Sequence, residues 1–117
     1  MPDVTVKEFD ELDNHEGVFL YAAKGLGVRS WGMNVERLPA NWDGYPEHDH
    51  AEDGQEEVYV VLDGSVKLQA EDESWDLVPG KMARVGPEQK RKVLAGDGGA
   101  TLLVIGGTPG KAYEPKS

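Results

Sequence analysis

Glycine and proline divide this chain into short apolar runs, and this division constrains the fold more than any other feature. The 117 residues include 15 glycines and 7 prolines. Many stand in pairs such as Asp63-Gly64, Pro79-Gly80 and Gly86-Pro87, which favour turns and interrupt helices. The spacing is typical of sandwiches and small barrels, so it predicts an all-β fold. The predicted strands are 18–22, 28–38, 57–62, 65–71, 75–78, 82–85, 91–94 and 101–105, with a short helical turn near 6–12.

Length and composition limit the organisation of the chain. A chain of 117 residues buries one core and is too short for two. We predict a single domain over 1–117, with a barrel core at about 28–107 between two extensions. No apolar run is long enough for a membrane span, and Pro2-Asp3 does not begin a signal peptide. We therefore expect a cytoplasmic protein without a membrane partner. The absence of cysteine excludes disulfides and thiolate chemistry.

The charge of the chain argues against nucleic acid as a partner. There are 22 acidic and 12 basic residues, which give a formal net charge of -10. A surface of this sign repels phosphate backbones. The one basic cluster, Lys90-Arg91-Lys92, is interpreted as part of a strand with solvated lysines rather than as a nucleic-acid patch.

Two histidines and a glutamate have a spacing that suits a metal site. His48 and His50 project from one side of an extended segment because strand side chains alternate, and Glu57 begins the next apolar run. Neutral imidazoles and a carboxylate suit Zn, Fe(II) or Mn. Glu56 is a rival carboxylate, but alternation turns it away from the face that Glu57 shares with Tyr59. Paired histidines on a strand are often only solvated, so a pocket without a metal is the alternative.

Around these residues the sequence resembles the small single-domain cupins, over about 38–107. The first cupin motif is matched by Gly44, His48, His50, Glu57 and Gly64. The segment 51–56 makes the gap before Glu57 longer than is usual in the family. The resemblance implies a jelly-roll-like β-barrel that carries a divalent metal ion inside, with His48, His50 and Glu57 as ligands. Cupins of this size include dioxygenases, isomerases and small-molecule cyclases, so the fold does not choose the reaction.

The second cupin motif departs from the family at the fourth metal ligand. When the family pattern is laid on Pro79-Gly80, Arg91 stands where the family has a histidine. Arginine stays protonated and only donates hydrogen bonds, so it cannot coordinate a cation. If Arg91 points inward, it either pairs with Glu57 and disables the metal site or clamps an anionic ligand beside the metal. If the strand is shifted by one residue, Arg91 is instead a surface charge.

Three further residues are predicted to contact a bound ligand. Gln89 shares strand parity with Arg91, Tyr59 shares that of Glu57, and Met33 is predicted to line the cavity. Two functions fit these predictions: a metal-dependent enzyme that acts on a small anionic organic molecule, or a non-catalytic binding or sensing module that has lost its metal. We also expect a homodimer, because the run 58–62 is apolar on both faces and needs cover.

Overall fold

The computed structural model describes residues 2–113, and it confirms the all-β prediction. Residues 1 and 114–117 of the predicted domain lie outside this range. In chain order the elements are a 3-10 turn (Phe9–Glu11), β1 (Asn14–His15), β2 (Phe19–Leu20), α1 (Ala22–Leu26), β3 (Gly32–Leu38), β4 (Glu56–Ala70), β5 (Glu73–Leu77), β6 (Met82–Val85) and β7 (Lys92–Gly107). Among the described residues, no helix is long and apolar enough to cross a membrane.

The strands form one antiparallel sheet that is organised around the two longest, β4 and β7. The strand order is β1-β2-β3-β7-β4-β5, and β6 also pairs with β4. The first half of β4 pairs with β6 and the second half with β5, while β7 runs beside both halves. This sharing of β4 curves the sheet around its interior. The inner face of its first half carries Glu57 and Tyr59.

The predicted turn at Asp63-Gly64 is wrong, because the chain continues through it as one strand. β4 joins the predicted strands 57–62 and 65–71, and its pairing with β7 shifts register on either side of these residues. Gly64 has a φ of 75°, and an added Cβ would collide with the carbonyl oxygen of Gly99. Glycine therefore permits a β-bulge that bends the strand without reversing it. The predicted strands 91–94 and 101–105 are likewise joined in β7.

The N-terminal predictions were correct in part. The predicted turn near 6–12 is a 3-10 turn at Phe9–Glu11, which Glu8 and Glu11 close with reciprocal side-chain hydrogen bonds. The predicted strand 18–22 ends at Leu20, because α1 begins at Ala22 and buries its first residues against the sheet. The predicted strand 28–38 begins only at Gly32.

Two apolar clusters cover the two faces of the sheet. The larger one lies inside the curve of β4 and β7 and includes Tyr59 and Leu102. The smaller one lies on the outer face of β3, where Leu12, Leu20 and Ala22 cover Val35. Met33 packs against this outer cluster. The prediction that Met33 lines the ligand cavity is therefore wrong: alternation along β3 turns Met33 and Val35 outward together.

Candidate metal centre

An extended segment positions the two histidines through backbone hydrogen bonds. His48 forms an antiparallel bridge with Arg91, in which each backbone N–H donates to the other carbonyl, at 3.0 and 2.9 Å. The backbone N–H of His50 donates to the carbonyl of Pro87 at 2.7 Å. The segment is not a full strand, but the imidazoles still meet edge to face, with ring centroids 5.2 Å apart.

Glu57 faces both histidines from the start of β4. Its Oε1 lies 3.6 Å from Nε2 of His48 and 3.3 Å from Nε2 of His50. One ligand atom from each residue lies within 4.8 Å of the others. Glu56, the rival carboxylate, points to the surface and accepts a hydrogen bond from Nε of Arg84 at 2.7 Å. Strand alternation thus identified the carboxylate that reaches the cluster.

The second nitrogen of each ring determines where its lone pair points. Nδ1 of His48 lies 3.1 Å from the carbonyl oxygen of Pro46, which only accepts hydrogen bonds. Nδ1 of His50 lies 3.1 Å from Oδ1 of Asp53. Both Nδ1 atoms therefore act as donors, which leaves the Nε2 of each ring directed at Glu57. Metal-binding histidines are commonly held in this way by a carbonyl or carboxylate.

Arg91 points inward and is fully buried, with 0% of its side chain exposed. Its Nη2 donates to Oε1 of Glu57 at 2.7 Å, and its Nε donates to the Tyr59 hydroxyl at 3.3 Å. Its Nη1 donates to the carbonyls of Gln89 at 2.7 Å and Gly86 at 3.4 Å. The shifted-strand alternative is therefore wrong. Because all three guanidinium nitrogens donate to protein groups, the geometry favours pairing with Glu57 over clamping a ligand.

The close contacts shift the pKa of the groups in this cluster. Burial alone would raise the pKa of Glu57, but hydrogen bonds from His48, His50 and Arg91 outweigh burial and lower it well below its usual range. A hydrogen bond with Glu57 raises the pKa of His50 above its ordinary value. Burial raises the pKa of Tyr59, so its hydroxyl stays protonated. It donates to Oε1 of Glu57 at 2.9 Å. Glu57 is therefore a stable anion that these donors hold in place.

Of the other predicted ligand contacts, Tyr59 lies in the cluster and Gln89 reaches it only through its backbone. Tyr59 is 1% exposed and joins Glu57 to Arg91 through its hydroxyl. The side chain of Gln89 turns back to donate to the carbonyl of Lys90 at 2.9 Å, whereas its own carbonyl accepts from Arg91. Met33, as described above, lies on the opposite face of the sheet.

Sequence reasoning missed two polar residues that adjoin the cluster, Glu36 and Tyr45. Glu36 is 2% exposed and Tyr45 is 5% exposed. The Tyr45 ring stacks on His48, with centroids 6.0 Å apart and an interplanar angle of 11°. The available signal was the alternation of β3, which sets Glu36 opposite Met33 and Val35 once those two are recognised as outward-facing.

Comparison with solved structures identifies the fold. A cupin protein from Bacteroides fragilis gives a TM-score of 0.65 at 20% identity, over 96% of this chain and 93% of that one. A sugar phosphate isomerase of the cupin superfamily from Silicibacter pomeroyi gives 0.75 at 21% identity, over 95% and 77%. A DMSP lyase from Ruegeria pomeroyi gives 0.60 at 24% identity, over 72% of this chain and 41% of the lyase. No protein-family model and no curated protein matches the sequence. The chain therefore has the cupin fold, as its motifs predicted.

The donor set fits a divalent metal ion. Two imidazole nitrogens and a carboxylate form the set that Zn, Fe(II) and Mn accept, and three protein ligands leave positions open for water or substrate. His48 and His50 already have their Nδ1 atoms held, so their Nε2 atoms need no rearrangement to change partner. Arg91 takes the corner where a fourth ligand would stand, and its charge opposes a cation there.

Proposed function

We propose that this cupin binds a divalent metal ion through His48, His50 and Glu57 and acts on a small organic molecule beside it. The observation that carries the proposal is the orientation of the two rings. Each Nδ1 donates to a fixed acceptor, and each Nε2 is directed at the same carboxylate oxygen. These nitrogens can meet the carboxylate either as protonated donors or as ligands of a shared cation. A metal ion satisfies all three groups at once.

The chain's own residues have defined roles in this proposal. A bound divalent ion would supply Lewis-acid chemistry to a substrate at its open positions. Arg91 and Tyr59 hold Glu57 ionised and fix its orientation through Oε1. Asp53 fixes the tautomer of His50. Two of the similar structures are described as an isomerase and a lyase, which supports placing catalysis first.

A second candidate function is a binding or sensing module that uses no metal. The contact that favours it is the buried pair of Arg91 and Glu57 at 2.7 Å. A guanidinium compensates a buried carboxylate without any other cation. In that case His48 and His50 would be hydrogen-bonding groups in a pocket that retains only the architecture of a metal site.

Metal content separates the two candidates. The protein is purified without added metal, reconstituted with Fe(II), Mn(II) or Zn(II), and analysed for bound metal. We expect roughly one ion per chain and at least a tenfold loss of affinity in the double variant His48→Ala, His50→Ala. His15→Ala is the matched control, because His15 is exposed and lies outside the cluster. Equal and near-zero occupancy in all three proteins after reconstitution would contradict the metal proposal and support the second candidate.

A further inference from the structure

Glu36 is a buried acid on the inner face of the curved sheet. In the register, Glu36 of β3 lies opposite Leu102 of β7, and Leu102 lies opposite Val61 of β4. Paired residues point to the same side, and Leu102 and Val61 belong to the inner cluster. Glu36 therefore projects into the same interior as Glu57 and lies level with Val61, which is two residues further along the inner face of β4 than Tyr59.

Polar contacts connect Glu36 to the cluster of His48, His50 and Glu57. Burial, helped by the negative charge of Glu57, raises the pKa of Glu36 to about 7 against the lowering effect of hydrogen bonds with Tyr45 and Asn34. Burial also raises the pKa of Tyr45, so its hydroxyl is a donor. The aromatic ring of Tyr45 stacks on the imidazole of His48. Tyr45 thus connects Glu36 to His48, a predicted metal ligand.

One oxygen of Glu36 has no partner. Within residues 2–113, Oε1 is the buried side-chain polar atom that makes no hydrogen bond. Leaving a buried polar atom without a partner is destabilising, so such an atom needs an explanation. A carboxyl oxygen accepts a hydrogen bond when the group is ionised, and also when the proton is on the other oxygen. The missing group is a hydrogen-bond donor for the ionised carboxylate and for the neutral acid with its proton on Oε2.

No donor of the cluster is directed at this oxygen. Arg91 donates to Glu57, Tyr59 and two backbone carbonyls. The Tyr59 hydroxyl donates to Glu57. A donor on the bound molecule would supply the missing hydrogen bond to Oε1 of Glu36. This donor would have to lie next to the inner face of β3.

We propose that Oε1 of Glu36 accepts a hydrogen bond from a hydroxyl or amine group of the molecule that binds in the barrel. The ligand would then have an oxygen for the metal at one end and a donor for Glu36 at the other. This inference rests on the proposed function, and it narrows the ligand to small bifunctional molecules such as hydroxy acids or amino acids. Glu36 would select against analogues that lack the donor.

Matched pairs of small acids test the proposal. The protein is loaded with Co(II), whose visible spectrum reports a ligand at the open positions. It is titrated with acetate and glycolate, propanoate and 3-hydroxypropanoate, and butanoate and 4-hydroxybutanoate. We expect one chain length at which the hydroxylated acid binds about tenfold more tightly than its partner, since one buried hydrogen bond has that effect.

Three variants identify the acceptor. Glu36→Met keeps the length of the side chain but removes its hydrogen-bonding oxygens. In this variant the ratio of the two affinities should fall to about one. In Glu36→Gln, which keeps an acceptor oxygen, most of the preference should remain. Glu56→Gln is the matched control, because the neighbouring carboxylate faces the surface, and it should behave as the wild type. Glu36→Leu replaces the Met variant if that protein does not fold.

Each outcome decides the inference separately from the proposed function. Wild-type ratios near one at every chain length, or a preference that persists in Glu36→Met, would overturn it even when Co(II) binds. If neither Co(II) nor Fe(II), Mn(II) or Zn(II) binds, the proposed metal function fails. The same pairs are then titrated against the metal-free protein while the methyl signals of Leu102 and Val104 are followed by NMR. Shifts with a hydroxylated acid alone, lost in Glu36→Met, would support the role of Glu36, and equal shifts would overturn it.

Discussion

Arg91 determines what the cluster of His48, His50 and Glu57 can do. It neutralises Glu57 and offers no lone pair of its own. It also donates to the carbonyls of Gly86 and Gln89, and so fixes the loop before β7. The same side chain therefore orients the proposed metal ligand Glu57 and would lower the affinity for a cation at the fourth corner.

Replacing Arg91 by histidine should raise metal affinity. Arg91→His removes a buried positive charge and supplies a fourth ligand, so we expect at least a tenfold gain in Zn(II) affinity in a chelator competition. Two backbone carbonyls lose their donor, so the metal-free variant should lose about 1–3 kcal/mol of stability. Arg91→Gln is the control, because it removes the charge without adding a good ligand. An unchanged affinity in Arg91→His would show that the corner is not available to a metal.

Glu36 should make stability depend on pH. Its pKa rises from 4.5 to about 7 on folding, so the folded state binds the proton more tightly than the unfolded state does. The stabilisation is fully present below pH 4.5 and is lost as the pH rises through about 7. The unfolding free energy of the wild type, relative to Glu36→Gln, should fall by about 3 kcal/mol over that window. Urea unfolding across the range measures this difference, and a constant difference would contradict the prediction.

At the scale of elements, the bend in β4 brings the site together. The bulge around Asp63-Gly64 lets one strand pair with β6 in its first half and with β5 in its second. The first half presents Glu57 and Tyr59, and β6 and β7 flank it. A turn at the same place would have separated these halves into independent hairpin strands.

Gly64→Ala should be strongly destabilising. The residue has a φ of 75°, and an added Cβ would collide with the Gly99 carbonyl. We expect a loss of about 2 kcal/mol or more in urea unfolding. Gly98→Ala is the control, because an added Cβ there has nothing within 4 Å. It should change stability by less than about 0.5 kcal/mol, and similar losses in the two variants would argue against strain at the bulge.

At the scale of the whole molecule, folding separates charged residues that are adjacent in the sequence and leaves part of the apolar surface exposed. The basic triplet 90–92 is divided: Arg91 is buried, and Nζ of Lys92 donates to the carbonyls of Asp43 and Tyr45, each at 3.0 Å. The outer face of the first half of β4 stays apolar, and Leu62 is 45% exposed there.

A homodimer through this face remains our prediction. Val60 and Leu62 point outward from β4, and burial of apolar surface favours association. Light scattering after gel filtration should give twice the chain mass of 12.8 kDa. Leu62→Glu should shift the protein towards the monomer. Val78→Glu, at a residue 42% exposed between β5 and β6, should not. A monomeric wild type, or equal behaviour of the two variants, would contradict the predicted interface.

The sequence by itself determined the features that depend on local periodicity. Turn pairs and apolar runs predicted most of the strand segments, and the two-residue period chose Glu57 over Glu56. The cupin motifs predicted the jelly-roll-like fold. These predictions succeeded because alternation is a property of the backbone of each strand and needs no knowledge of its neighbours.

The tertiary structure decided which face of each strand lies inside and which groups meet there. Pairing between β3 and β7 turned Met33 outward and Glu36 inward. Contacts between residues more than thirty positions apart gave Arg91 its partners. Whether Asp63-Gly64 would reverse or only bend the chain also depended on its neighbour β7. These outcomes follow from long-range packing, because a single strand carries no information about the side of the sheet on which the core will form.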